Sequence, residues 1–358
     1  MITALFRGIS IVCCLFVLTY GRVSAQDYKF NQISSENGLS QTTVNCIMQD
    51  RMGFMWFGTQ EGLNRYDGFN IRIFKRDPKD SNSLSNNFIY TTFEDHYGMI
   101  WIGTNGSGLD MFDPTSERFI HYPSDPKNIS TISSNSVRVI FEDRDKNLWI
   151  GTDDGLNLFD RKTKKFTRFQ NNPNDPYSLP GNKIYDITQD ESGLMWLGTY
   201  GKGICSFDPV TRRFFSYMLT DSQISLLYPA LIATDVRRKS QCNLIRSLFI
   251  YDKEHLWVGT DGGGILVFNL KTHKAERPVY PDGSYTMPAE ARIFSMCDGP
   301  ENRVWLAVYE TSLDVFDRTS AKFEHYTPND RDPYAFASHQ PKCIFRDRNG
   351  NMWVGTNG

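Results

Sequence analysis

The chain has 358 residues, 14% of them aromatic, and a formal net charge of −2 at pH 7. That balance leaves no electrostatic footprint for nucleic acid. Five of the seven cysteines lie beyond residue 25, and an odd, irregularly spaced set argues against a disulfide framework.

Residues 1–25 read as a secretory signal peptide: Arg7 supplies the charge, Ile9 to Leu18 the apolar core, and Val23-Ser-Ala25 the cleavage site. The apolar run is too short for a spanning helix, and an uncleaved anchor is the alternative. The mature chain would begin at Gln26 and form one domain over 26–358. Its charge, without Arg7 and Arg22, is −4.

Beyond residue 50 the chain is an array. All seven tryptophans sit in one context: Trp56, Trp101, Trp149, Trp196, Trp257, Trp305 and Trp353. Six lead into an apolar residue and Gly-Thr, while Trp305 reads WLAV. Their spacings are 45, 48, 47, 61, 48 and 48 residues. Such a period marks a repeat architecture. One unit runs from Asn135 to Tyr177. Val137, Val139 and Phe141 alternate along a first strand. Leu148-Trp-Ile150, Leu156-Asn-Leu-Phe159 and Phe166-Thr-Arg-Phe169 follow as three more, separated by polar turns. A single four-stranded sheet cannot bury both its faces. Radial stacking buries them, so the expected fold is an all-β, seven-bladed β-propeller of four-stranded antiparallel blades.

The turns carry their own logic. Asp-x-x-Gly recurs at Asp50, Asp95, Asp190 and Asp347, where Asp bonds the turn amides and Gly accepts positive φ. The fifth period is longer by about fourteen residues, in the region Thr220 to Cys242. The seventh stops after its WxGT strand. Its third strand is therefore missing, and the N-terminal strand 27–33 is expected to supply its outermost one. The seven tryptophans, present in every blade, are scaffold residues.

A search for catalytic chemistry is negative. The six histidines fall in different repeats without zinc-ligand spacing. Gly198-Thr-Tyr-Gly-Lys202 has the wrong spacing for a phosphate loop. No catalytic residue, metal or cofactor is assigned. Recognition must come from residues that differ between blades, on the face of the second-to-third-strand loops and the strand-one entries. The loops offer Tyr200, Lys202, Tyr309 and Glu310, beside Asp153 and Asp261. The entries offer Gln41, Asn87, Asn135, Asn182 and Asn243. Amides and carboxylates beside a Tyr platform suit sugar recognition.

The "LxxFD" run, the WxGT strand and the loops Asp77-Pro-Lys-Asp-Ser-Asn-Ser-Leu-Ser-Asn-Asn87 and Asp175-Pro-Tyr-Ser-Leu-Pro-Gly-Asn182 resemble the two-component regulator propeller repeat. Tyr28 to Ser40 resembles the start of the mature sensor in Bacteroides-type hybrid two-component systems. The resemblance covers about residues 27–358. It implies a periplasmic, non-enzymatic sensor region, here truncated, that detects oligosaccharides released from glycans and works as a homodimer. The family's membrane helix and kinase are absent from this chain. A protein–protein interaction propeller and a carbohydrate-active lyase or hydrolase are the alternatives. The first predicts a large exposed apolar patch; the second predicts clustered unique carboxylates, Tyr, His or Arg.

Overall fold

The computed structural model describes residues 28–227, 236–276, 291–329 and 331–358. The signal-like segment lies outside them, as does the middle of the fifth-blade insertion. The architecture is a ring of antiparallel sheets in chain order. Six sheets have four strands each, paired one-two-three-four in sequence. The first blade is Val44–Gln49, Met55–Thr59, Leu63–Tyr66 and Ile71–Phe74. A seventh sheet has two strands, Pro341–Arg346 and Met352–Thr356.

Each first strand contacts the first strand of the next blade, and Pro341–Arg346 contacts Val44–Gln49, so the inner ring closes. Backbone bridges such as Tyr200 to Leu244, and Thr43 to Asn357 at the seam, tie successive blades. The second strands are buried at all five positions in the first four blades. They need both faces apolar because each lies between two neighbouring sheets. The hydrophobic clusters therefore straddle blades. One joins Trp101 and Leu109 of the second blade to Val137, Ile150 and Phe159 of the third.

Six of the seven tryptophans pack on a third-strand aromatic of the following blade. Ring centroids are 5.7 Å apart for Trp56 and Phe112, 5.0 Å for Trp101 and Phe159, and 5.3 Å for Trp149 and Phe207. The first-turn aspartate fixes the indole. Asp50 accepts the Trp56 Nε1–H on Oδ2 at 2.8 Å, while its Oδ1 accepts the turn amides of Met52 and Phe54. Gly53 turns the chain at φ 95°.

The expected seven-bladed ring lacking only one strand is corrected by the strand count: six complete blades and a two-stranded sheet. Residues 28–34 form no strand. A fourth strand takes its ladder from a third, and among the described residues no third strand flanks Met352–Thr356. The segment still occupies the outer position by its side chains. Phe30 N–H donates to Tyr334 O at 3.0 Å, as Phe166 N–H does to Ser130 O and Phe214 N–H to Tyr177 O, both at 2.9 Å. Tyr28 lies edge-on to Trp305 at 4.7 Å, the place a third-strand Phe fills elsewhere.

In the insertion, Asp221–Leu227 is helical and Val236–Asn243 is a 3-10 turn. Ile224 and Cys242 join the core around Trp196 and Ile245. All five described cysteines are free. Burial pushes the Cys46, Cys242 and Cys297 thiols up to about 11, so they act as apolar filler.

Candidate functional site

The first strands do not alternate regularly. Each carries a bulge after its first buried residue: the register skips between Ile89 and Thr91, between Ile184 and Asp186, and between Pro341 and Cys343. In the third blade this leaves Val137 and Ile140 buried in place of the expected Val137, Val139 and Phe141. A bulge re-aims one side chain. The re-aimed residues are Asn45, Tyr90, Arg138, Tyr185, Arg246, Phe294 and Lys342, all half-buried. The seven share one register and differ in chemistry from blade to blade.

They form a chain around one mouth of the ring. The Arg138 guanidinium lies 4.0 Å from the Tyr90 ring and 5.1 Å from Tyr185. Arg246 lies 4.9 Å from Tyr185 and 4.7 Å from Phe294. Lys342 Nζ donates to Asn45 Oδ1 at 2.8 Å, and Asn45 Nδ2 donates to Ile89 O at 2.8 Å. These cation–aromatic contacts hold the guanidiniums over the rings, each worth about 0.5–2 kcal/mol.

A second tier comes from the residue after each WxGT: Gln60, Asn105, Asp153, Tyr200, Asp261, Tyr309 and Asn357. In the third to sixth blades it pairs with the bulge residue of its own blade by chemistry. Arg138 makes a two-pronged ion pair with Asp153, at 2.9 and 2.8 Å. Arg246 donates to Asp261 Oδ2 at 3.1 and 2.7 Å. Tyr185 stacks on Tyr200 at 4.9 Å, and Phe294 on Tyr309 at 4.4 Å. Arg292 extends the network, donating to Asp261 Oδ1 at 2.6 Å and to Glu310 Oε2 at 3.0 Å. Burial pushes Asp261 up, but Arg246 and Arg292 together hold its carboxyl below the usual range. Burial, with the nearby charge of Arg246, lowers Lys342.

Of the residues singled out from sequence, Tyr200, Tyr309 and Glu310 stand in this mouth. Asn87, Asn135 and Asn182 sit at its rim, their Oδ1 atoms taken at 2.7 Å by the backbone N–H groups of Arg76, Ser124 and Asn171. Gln41 has a buried Oε1 with no hydrogen-bond partner. Lys202 is exposed beside Gly181. Sequence reasoning missed the bulge residues. Aligning the seven repeats exposes the signal: the residue after the first apolar of strand one changes between Asn, Tyr, Arg, Phe and Lys, while the residue before it is Val, Ile or Pro. Among the described residues, no three His, Cys, Asp or Glu side chains cluster as a metal would need.

Comparison with known proteins bears on the repeat and the fold. Residues 38–61, 83–106, 131–154, 178–201 and 336–358 match the family described as two component regulator propeller. These segments fall in blades one to four and in the two-stranded seventh sheet. Histidine kinase P4 of Formosa agariphila is 34% identical over 76 residues, which is 21% of this chain and 6% of that protein. Two extracellular domains of putative hybrid two component systems from B. thetaiotaomicron share the fold, with TM-scores of 0.76 and 0.70 at 24% and 21% identity. The alignments cover 92% of this chain, and 41% and 38% of those domains. The chain thus spans well under half the length of its relatives. Among the described residues no helix is long and apolar enough to cross a membrane. The chain carries five two component regulator propeller repeats, in blades one to four and in the seventh sheet.

Proposed function

We propose that this propeller is the ligand-recognising sensory region of a hybrid two-component regulator. It would act in the periplasm on oligosaccharides released from glycans and pass occupancy to a histidine kinase region. The observation that carries the reading is the mouth. The tryptophan scaffold repeats, whereas here two tiers of residues differ from blade to blade. Tyr90, Tyr185, Tyr200, Phe294 and Tyr309 offer flat faces for sugar rings, beside oriented guanidiniums and carboxylates for hydroxyls. The repeats and the extracellular neighbours support a sensor. A binding role fits better than a hydrolytic one, because Asp153, Asp261 and Glu310 are each neutralised by arginine.

The test is calorimetry of the chain against a panel of neutral and acidic oligosaccharides. At least one is expected to bind, and Tyr185→Ala and Arg246→Ala are expected to weaken it about tenfold or more. A panel without binding, or binding indifferent to both substitutions, would remove the mouth from consideration. Shortened sugars released during the titration would replace the sensor reading with an enzymatic one.

A further inference from the structure

Three blades carry a cation on the inner tier, and one of the three lacks a carboxylate opposite it. In the third and fifth blades an arginine on the inner tier faces an aspartate on the outer tier, Arg138 with Asp153 and Arg246 with Asp261. In the fourth and sixth blades aromatic faces aromatic. In the seventh, the inner tier is again a cation, Lys342, but the outer position is Asn357. That amide is engaged elsewhere, donating to Gln340 Oε1 at 2.5 Å and to Tyr309 Oη at 3.4 Å. Lys342 has one hydrogen bond, to the neutral Asn45, and no carboxylate partner among the described residues. The neighbouring arginines, Arg246 and Arg292, already have carboxylate partners in Asp261 and Glu310. Arg246 acts on Lys342 at a distance with like sign, although its own pair with Asp261 is complete. A half-buried ammonium that lacks a counter-charge is costly unless something supplies one.

We propose that the mouth takes an anionic ligand, a saccharide carrying a carboxylate or sulfate, and that Lys342 is the contact for its charge. This rests on the reading of the mouth as the ligand-binding end. The anion replaces the aspartate that the seventh blade lacks. It completes the pattern of the third and fifth blades with a charge from outside. Of three hydrogens on Nζ, one goes to Asn45, leaving two for the ligand's oxygens. Phe294 and Tyr309, stacked on the adjoining blade, lie beside this position as the platform for the sugar ring.

The experiment uses wild type, Lys342→Gln and Asn357→Asp, titrated with galacturonic acid trisaccharide, inorganic sulfate and the neutral maltotriose at low salt. Asn357→Asp supplies the missing counter-charge from within while keeping the lysine. The acidic trisaccharide or sulfate is expected to bind wild type, and both substitutions are expected to weaken that binding about tenfold or more. Raising salt weakens it too. Unchanged melting temperatures would show that both variants fold. The proposal falls if neither acidic probe binds wild type, or if either variant binds them as well as wild type does. Maltotriose binding that responds to Tyr185→Ala and ignores Lys342→Gln would overturn the anion site and leave the sensory reading standing. Sulfate binding through Lys342, with both trisaccharides silent, would do the reverse to the sugar reading and uphold the anion site.

Discussion

Five aspartates hold five indoles at the same spacing of six residues. Asp50, Asp95, Asp143, Asp190 and Asp347 each accept a tryptophan Nε1–H at 2.8 or 2.9 Å. The fifth blade puts Tyr251 at this position, and it stacks on Trp257 at 4.5 Å. The sixth puts Gly299 there, and the buried Trp305 Nε1 has no partner. The turn role of these aspartates follows from local spacing, which is why sequence exposes it, whereas their bond to the indole shows only in the structure. The role of Asp186 does not follow from local spacing. It lies at the bulge of the fourth blade, its Oδ2 accepting the Leu248 N–H of the next blade at 2.7 Å. Burial pushes its carboxyl up to about 7, against the pull of the Leu248 and Ile187 amides. An unfolded aspartate releases its proton near pH 4, at roughly its reference value. Between these values the folded protein binds the extra proton, so stability falls as pH rises from about 4 to about 7. Asp186→Asn is expected to flatten that slope and to be more stable than wild type at pH 8. Urea unfolding at pH 5 and pH 8 measures both, and an identical slope in the variant would remove Asp186 as its source.

At the scale of the strand, the glycine of WxGT is a packing requirement. A Cβ on Gly151 would lie 2.6 Å from Val139 Cγ1 and 2.8 Å from Ile184 Cγ2. The same two walls, the paired first strand and the first residue of the next blade, close on Gly58, Gly103 and Gly355. The sixth blade shows the rule by its exception. Ala307 is fully buried there, opposite Ser295, and the following blade opens with Pro341 where the others have Ile or Val. Gly151→Ala is therefore expected to cost about 1–3 kcal/mol by overpacking, measured as a fall in the urea midpoint; an unchanged midpoint would mean the blades can spread. The sequence marks this glycine as one of close approach. It does not mark the bulge, because a bulge breaks the period of two on which strand reading depends. Simple alternation puts Val137, Val139 and Phe141 on one face, whereas the structure buries Val137 and Ile140. The same offset turns Arg138 and its six counterparts toward the mouth.

Across the whole molecule, seven inner strands close a ring that has six complete blades. At the seam Arg348 donates to the carbonyls of Asp50 and Arg51, at 2.7 and 3.1 Å, much as Arg51 reaches Glu94 and Asp95 O within the ring. The weak place is the outer half of the seventh sheet. Trp353 is only half-buried, and Tyr28 stands edge-on against Trp305. Tyr28 Oη also accepts from Arg303 at 3.1 Å. Tyr28→Ala is expected to destabilise the fold by about 1–2 kcal/mol, less than a full core truncation because the side chain is only partly enclosed. Tryptophan quenching by acrylamide is expected to rise with it, and unchanged stability and quenching would show the segment to be dispensable. The sequence by itself determined the strand type, the repeat, the number of inner-strand pairs and the tryptophan scaffold, since each depends on contacts within one period. Tertiary structure decided the rest. A blade count needs partners for every ladder, and the mouth needs seven bulges to bring residues some 45 to 61 positions apart onto one rim. Neither is written in any single repeat.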